Sequence, residues 1–346
     1  MSLTVDIKKR FEGFCLDVSL NIDGVTGLLG ASGSGKSMTL MCVAGIIKPD
    51  SGRIVLNGRA LFDSRLRVDL PPQQRRVGYL FQNYSLFPNM TVRRNILCGM
   101  HGQRDPELRE RALRDIIDMM RLSGLEGRRP GQLSGGQRQR AALARILVGS
   151  PDILMLDEPF SALDSHLRGQ LQIELRALLG RFGKDVILVT HSRDEAYLLC
   201  PEIALIDGGT IIAHKNAKQL FADPESRQAA LLTGCKNIVA AKKAGEYAVD
   251  VPEWRARLTT ARPVRDDICA IGVRAHYFDP EIPQNRLRVR FSGEIEGPFE
   301  FILQFRCENQ AEASQDIWWR VPKGKRAGGP PAELGVAPEN IMLLYK

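Results

Sequence analysis

The sequence predicts an α/β protein with a parallel sheet covered by helices, followed by a smaller β domain. Three observations predict it. Short apolar runs of strand length alternate with helical segments through the first two thirds of the chain. A glycine-rich stretch from Gly30 to Gly35 separates one such run from a helix. After Thr233-Gly234 the character changes to short alternating segments, prolines and turns. The 346 residues, 44% hydrophobic and 25% charged, give the length for two domains and a globular composition.

In order, Leu16-Asp17-Val18-Ser19-Leu20-Asn21-Ile22 alternates as a half-buried strand does, and Val25 to Leu29 is a second strand. A helix runs through Met41-Cys42-Val43-Ala44. Ile54 to Leu61 and Val77 to Phe81 each read as one further strand, and Asn89 to about Val148 is helical and arginine-rich. Ile153 to Leu156 and Val186 to Thr190 are apolar strands flanking a helix at Ser165 to Gly180. In the second domain, residues 236–346, Ile271-Gly272-Val273 and Leu334-Gly335-Val336 echo each other, each placed to end a strand of a small barrel.

No stretch approaches 18 consecutive apolar residues, which excludes a membrane-spanning helix. The N-terminus lacks a charged-then-apolar leader, so a cytoplasmic location is expected. Seven scattered cysteines, none in a C-x-x-C pair, argue against a disulfide framework or a structural zinc. The net charge of +8 would suit nucleic acid, but acidic residues are interspersed through the arginine-rich Arg104–Arg145 segment. That pattern is a solvated helical face, and no nucleic-acid partner is expected.

Gly30-Ala31-Ser32-Gly33-Ser34-Gly35-Lys36-Ser37 fits G-x-x-x-x-G-K-[ST] between a strand and a helix, the context of a P-loop. Its glycines let backbone N–H groups turn inward on a phosphate, and the helix N-terminus adds positive potential. Lys36 is expected on the β- and γ-phosphates of ATP, and the Ser37 hydroxyl on Mg²⁺. Ile153 to Leu156 ends in Asp157-Glu158-Pro159; a buried strand would aim Asp157 at the metal and leave Glu158 to activate water. Leu133-Ser134-Gly135-Gly136-Gln137 precedes a helix, with Ser134 suited to N-cap it. His191 follows the last apolar strand, placed to face the γ-phosphate.

The order Gly30–Ser37, Gln82, Leu133–Gln137, Asp157-Glu158, Ser161-Ala162-Leu163-Asp164 and His191 resembles the ABC ATPase family from Gly30 to His191. The resemblance implies a P-loop ATPase domain over 1–232 with a helical subdomain at about 88–150. It also implies that two copies form a dimer with ATP between them. Ser134, Gly135, Gly136 and Gln137 would close over the ATP held by the other copy, Asp164 would cross the interface, and Gln82 would sense Mg²⁺ and the water. Two departures stand out. Met38 occupies a position usually Ser or Thr, and the adenine-stacking aromatic is Phe11 or Phe14, with Phe11 the better fit by distance.

Gln82-Asn83-Tyr84-Ser85-Leu86-Phe87-Pro88 resembles the loop of bacterial importers that lies beside a groove for the membrane permease, so Tyr84, Leu86 and Phe87 are expected at that contact. Such a subunit would be peripheral on the cytoplasmic face of the inner membrane, served indirectly by an external solute-binding protein. The C-terminal domain resembles, more weakly, the small OB/TOBE-type regulatory domains of such importers. Leu232-Thr233-Gly234-Cys235-Lys236-Asn237 looks like the molybdate subgroup; sulfate, tungstate, polyamine or iron transport stays open. Lys236 and Arg274 are the expected donors to any regulatory oxyanion. A chromosome-organising or repair ATPase would carry a coiled coil between Gln82 and Ser134, which are only 52 positions apart. A ribosome-acting member would carry two cassettes, and a single-chain exporter would carry membrane helices.

Overall fold

The computed structural model describes residues 2–100, 105–161, 163, 165–308, 310, 314–325 and 329–346, and no side chain is described at 165–167. The chain forms two compact units, Met1–Ala217 and Lys218–Lys346. Asp164 lies outside the described residues.

The first unit opens with the hairpin β1 (Leu3–Phe11) and β2 (Phe14–Ile22), then β3 (Val25–Leu29) and α1 (Lys36–Ala44). The expected single strand at Ile54–Leu61 is two: β4 (Ser51–Leu56) and β5 (Arg59–Asp63) pair antiparallel. Between them Asn57 and Gly58 have φ of 52° and 78°, the turn that an Asn-Gly pair makes at a tight hairpin. Then come β6 (Val68–Asp69) and β7 (Val77–Leu80). The helical segment supplies α2 (Val92–Leu97), α3 (Pro106–Met119) and α4 (Gly135–Leu147), which pack on one another. β8 (Ile153–Asp157), α5 (Ser165–Phe182), β9 (Asp185–Thr190), α6 (Arg193–Leu199), β10 (Glu202–Asp207) and β11 (Thr210–Asn216) complete it.

The sheet is mixed rather than parallel throughout. Its order is β6-β5-β4-β1-β2-β11-β10-β3-β9-β8-β7; the run β10-β3-β9-β8-β7 is parallel, β11 meets β2 in parallel at Thr210 and Asp17, and the other pairs are antiparallel. Every residue of β8 and β9 is buried, as continuous apolar runs in a covered parallel sheet should be. The antiparallel pairs all lie on the β10 side of that run, in the hairpins β10-β11, β1-β2, β4-β5 and β5-β6 and in the longer-range pair β1-β4, while β7 is the other edge of the sheet. Parallel alignment brings the C-terminal ends of β3, β7, β8 and β9 to one edge, where ligands of such sheets bind.

In the second unit, α7 (Ala217–Ala222) spans the division and α8 (Arg227–Leu232) follows it. α8 packs on β12 (Asn237–Ala240), β16 and β22, so the second unit begins before the change in sequence character. The remaining strands are β13 (Lys242–Gly245), β14 (Ala248–Val251), β15 (Ala256–Thr259), β16 (Ile268–Val273), β17 (Phe278–Asp279), β18 (Leu287–Glu296), β19 (Glu300–Cys307), β20 (Ile317–Pro322), β21 (Glu333–Val336) and β22 (Ile341–Tyr345). They make three short sheets wrapped on one core, a barrel-like arrangement. The sequence echo is structural: β16 and β21 each end at the Gly-Val pair and lead into a 3₁₀ turn and another strand.

The junction residues are structural too. Thr233 Oγ1 donates to the Ala229 carbonyl at 2.9 Å, Gly234 takes φ of 86°, and Cys235 is buried with its thiol pushed up to about 11. The Asn237 amide donates to Val273 and Trp318 carbonyls (3.1 and 2.9 Å) and accepts from the Trp318 N–H at 2.7 Å, stapling β12 and β16 to β20. The expected convergence of Lys236 and Arg274 on an oxyanion is not there. Arg274 donates to the Thr233 and Phe221 carbonyls, while Lys236 lies exposed over the Trp318 ring.

Candidate active site

The loop between β3 and α1 is built for close approach. Gly33 and Gly35 adopt φ of 77° and 101°, and a Cβ at Gly30 would sit 2.2 Å from the Ile206 carbonyl. Helices α2, α3, α4, α6 and α8 each have a side chain capping their first-turn N–H groups, and α1 has none. Those N–H groups, with the buried and unpartnered Ser34 hydroxyl, form a cradle that fits a phosphate. Lys36 is buried and donates to the Gly30 and Ala31 carbonyls at 2.9 and 2.7 Å. Burial lowers its pKa, and Glu158 and Asp157 pull it back up.

Asp157 ends β8 with both oxygens engaged. Ser37 Oγ donates to Oδ1 at 2.8 Å and Tyr79 OH donates to Oδ2 at 2.9 Å. Burial raises the Asp157 pKa against the pull of these two hydroxyls, and it raises that of Tyr79 as well. A hydroxyl beside a carboxylate, facing a phosphate cradle, is a donor set that fits Mg²⁺. Among the described residues no cluster of three or more His, Cys, Asp or Glu could cage a metal, and Mg²⁺ shared with phosphate and water does not need one.

Glu158 follows with φ of 45°, a left-handed conformation that costs a non-glycine residue about 1–2 kcal/mol. Its N–H donates to the Val189 carbonyl at 3.0 Å, and its own carbonyl accepts from the Ser161 N–H and hydroxyl. The strained turn swings its carboxylate to 3.2 Å from Nδ1 of His191, whose side chain is 60% exposed just past β9. Gln82, in the turn after β7, joins Ser37 and Asp157 in lining an open cleft of about 590 Å³.

Ser134 caps α4 reciprocally: its hydroxyl accepts from the Gln137 N–H at 3.3 Å, and the Gln137 side chain accepts from the Ser134 N–H at 2.9 Å. Gly136 is buried where a Cβ would press on Leu171 at 3.0 Å, while Ser134 is exposed. Ser134, Gly135, Gly136 and Gln137 do not line the cleft around Ser37. Phe11 and Phe14 stand 6.2 Å apart at the β1–β2 turn, and Phe14 abuts Gly35.

One expectation fails. Tyr84 is buried, its hydroxyl donating to the Pro159 carbonyl at 3.1 Å, so it cannot be part of an outer contact face. Consecutive positive φ at Tyr84 and Ser85 turns it inward and leaves Phe87 outside at 47% exposure.

Two residues escaped sequence reasoning. Tyr79 was legible as a polar tip in an otherwise apolar strand. Arg75 was not: it is fully buried, donating to Leu70, Cys42 and Val43 carbonyls (2.7, 2.9 and 2.9 Å) and pairing with Asp69. Cys42 and Val43 lie in the last turn of α1, so Arg75 caps the C-terminus of the helix whose N-terminus is the cradle.

The family model described as "ABC transporter" matches residues 15–161. A molybdenum import ATP-binding protein from Paramagnetospirillum magneticum is 42% identical over 226 residues, spanning 65% of this chain and 62% of that protein. A probable sulfate/thiosulfate import ATP-binding protein from Chlorella vulgaris is 44% identical over 230 residues, spanning 65% of this chain and 95% of that protein. The dimeric post-hydrolysis structure of the ATP-binding cassette MJ0796 with ADP and Pi aligns at a TM-score of 0.52 and 27% identity, covering 63% of this chain and 99% of that one. Motif order, cleft geometry and these likenesses agree: the chain belongs to the ABC transporter family, whose ATPase cassette it carries.

Proposed function

We propose that this chain is the ATP-hydrolysing subunit of an importer, acting as a dimer on the cytoplasmic face of the membrane. The observation that carries the chemistry is the pair Glu158 and His191, 3.2 Å apart, beside the Ser37–Asp157 pair. Lys36 leaves the loop carbonyls for the β- and γ-phosphates, and the first-turn N–H groups of α1 bind the phosphate chain. Ser37, Asp157 and Gln82 would hold Mg²⁺, which when bound would polarise the terminal phosphate. Glu158 takes the proton of the attacking water, and His191 fixes the carboxylate and faces the γ-phosphate. Phe11 stacks on adenine, and Phe14 packs beneath the loop.

Exposed Ser134, with Gly135, Gly136 and Gln137, completes the site of the second copy; the dimeric likeness of the MJ0796 cassette supports this reading. Phe87, with half-buried Leu86 beside it, is the permease contact. Among the described residues no helix is long and apolar enough to cross a membrane, so the passage itself falls to that permease.

For cargo we propose a tetrahedral oxyanion, molybdate first, on the likeness to the molybdenum import protein. The sulfate/thiosulfate relative is equally similar over the shared region and makes sulfate the rival. Cells lacking the chain should lose high-affinity molybdate uptake, and restoring wild type, but not Glu158→Gln, should recover it. Normal molybdate uptake with lost sulfate uptake would transfer the assignment to sulfate. Unchanged uptake of both would refute the oxyanion proposal.

A further inference from the structure

We infer that Tyr79 is a positioning residue for the metal site, fixing the Asp157 carboxylate so that one oxygen stays turned to Ser37. The inference rests on the reading of Asp157 as a metal ligand and adds a residue to it.

β7 and β8 are parallel with Tyr79 beside Met155, so the pleat puts Tyr79, Met155 and Asp157 on one face of the sheet. From there the phenol reaches diagonally to Oδ2 of Asp157 at 2.9 Å, while Ser37 holds Oδ1 at 2.8 Å. A carboxylate with one donor can turn about its terminal bond; one with a donor on each oxygen cannot turn without losing a bond. The burial of Asp157, at 6% exposure, leaves little water to replace a lost donor. Tyr79 is itself held, its ring centroid 4.3 Å from that of Phe81. Phe81 immediately precedes Gln82, so the strand that positions the carboxylate leads directly into the glutamine that lines the cleft with it. Partners that orient a metal's ligands typically govern its affinity by 10–100-fold.

The test is ADP binding by the full chain, in EDTA and across a Mg²⁺ titration, with Mn²⁺ binding read by electron paramagnetic resonance. Tyr79→Phe keeps the ring and removes only the hydroxyl. Its ADP affinity in EDTA should equal that of the wild type, and the Mg²⁺ midpoint should rise by roughly 10–100-fold. Asp157→Asn serves as the reference and should lose the Mg²⁺ response. If Asp157→Asn loses it while Tyr79→Phe stays within twofold of wild type, Tyr79 merely satisfies a buried carboxylate and the inference is wrong. If Asp157→Asn keeps the normal midpoint, the ligand assignment fails and this inference with it. A fall in melting temperature of Tyr79→Phe, equal with and without Mg²⁺ and with no change in midpoint, also overturns it.

Discussion

Arg75→Met should destabilise the first unit by about 3–5 kcal/mol, the usual cost of removing one partner from a buried charged network. The magnitude follows from what is left behind. The guanidinium has 0% exposure and donates to three backbone carbonyls besides Asp69. Asp69, at 36% exposure, can be rehydrated; the Cys42 and Val43 carbonyls, in buried residues, cannot. Methionine would fill much of the volume and supply no donor. A unit of about 217 residues loses roughly 2–4 °C per kcal/mol, so its melting temperature should fall by about 6–20 °C. Arg75→Lys should recover part of the loss, because one ammonium cannot reach all the carbonyls the planar fork spans. The three tryptophans, Trp254, Trp318 and Trp319, all lie in the second unit. Hydrogen exchange on α1 reports the first unit, and tryptophan fluorescence the second. A drop below 1 kcal/mol in Arg75→Met would show that the α1 carbonyls find other partners, and equal drops in both signals would show that the loss is not confined to the first unit.

Glu158→Gln should keep ATP binding while steady-state hydrolysis falls by about 10²-fold or more; near-normal turnover would remove its role as general base. Ser134→Arg, made in the Glu158→Gln background, should bind nucleotide as a monomer yet fail to dimerise with ATP. Light scattering reads this directly, and a persistent ATP-dependent dimer would refute the composite site.

Much of the site was legible because its chemistry is written in consecutive residues. Gly30 to Ser37 needs only a strand before it and a helix after it, and both are present. The apolar run into Asp157 likewise gives its own context. What the sequence withheld depends on distant partners. Arg75 and Arg76 are adjacent and chemically identical, yet one caps α1 from full burial while the other, at φ of 53°, reaches out to Asp152. Tyr84 and Phe87 look equivalent as exposed apolar candidates until two positive φ angles send one inward. In the antiparallel part of the sheet the turns Glu12-Gly13, Asn57-Gly58 and Gly208-Gly209 were local signals, whereas the pairing of β1 with β4, which joins Leu3 to Leu56, depends on a distant partner.

The same geometry explains why such a site needs a stiff frame. Burial lowers Lys36 below its ordinary 10.5, so the folded state gains stability as pH rises through the window beneath that value. Burial raises Asp157 above its ordinary 3.8, so stability is lost as pH rises through the window above that value. Burial thus disfavours the charged form of both groups, and Glu158 adds backbone strain beside them. All three are held in place by the buried strands β8 and β9 and by the capped helix α1. A ligand that brings negative phosphate to Lys36 and a divalent cation to Asp157 removes two of these costs at once. The tightness of the nucleotide site is in this sense stored in the folded chain, and the stiffness of β8, β9 and α1 keeps it from being lost to local collapse.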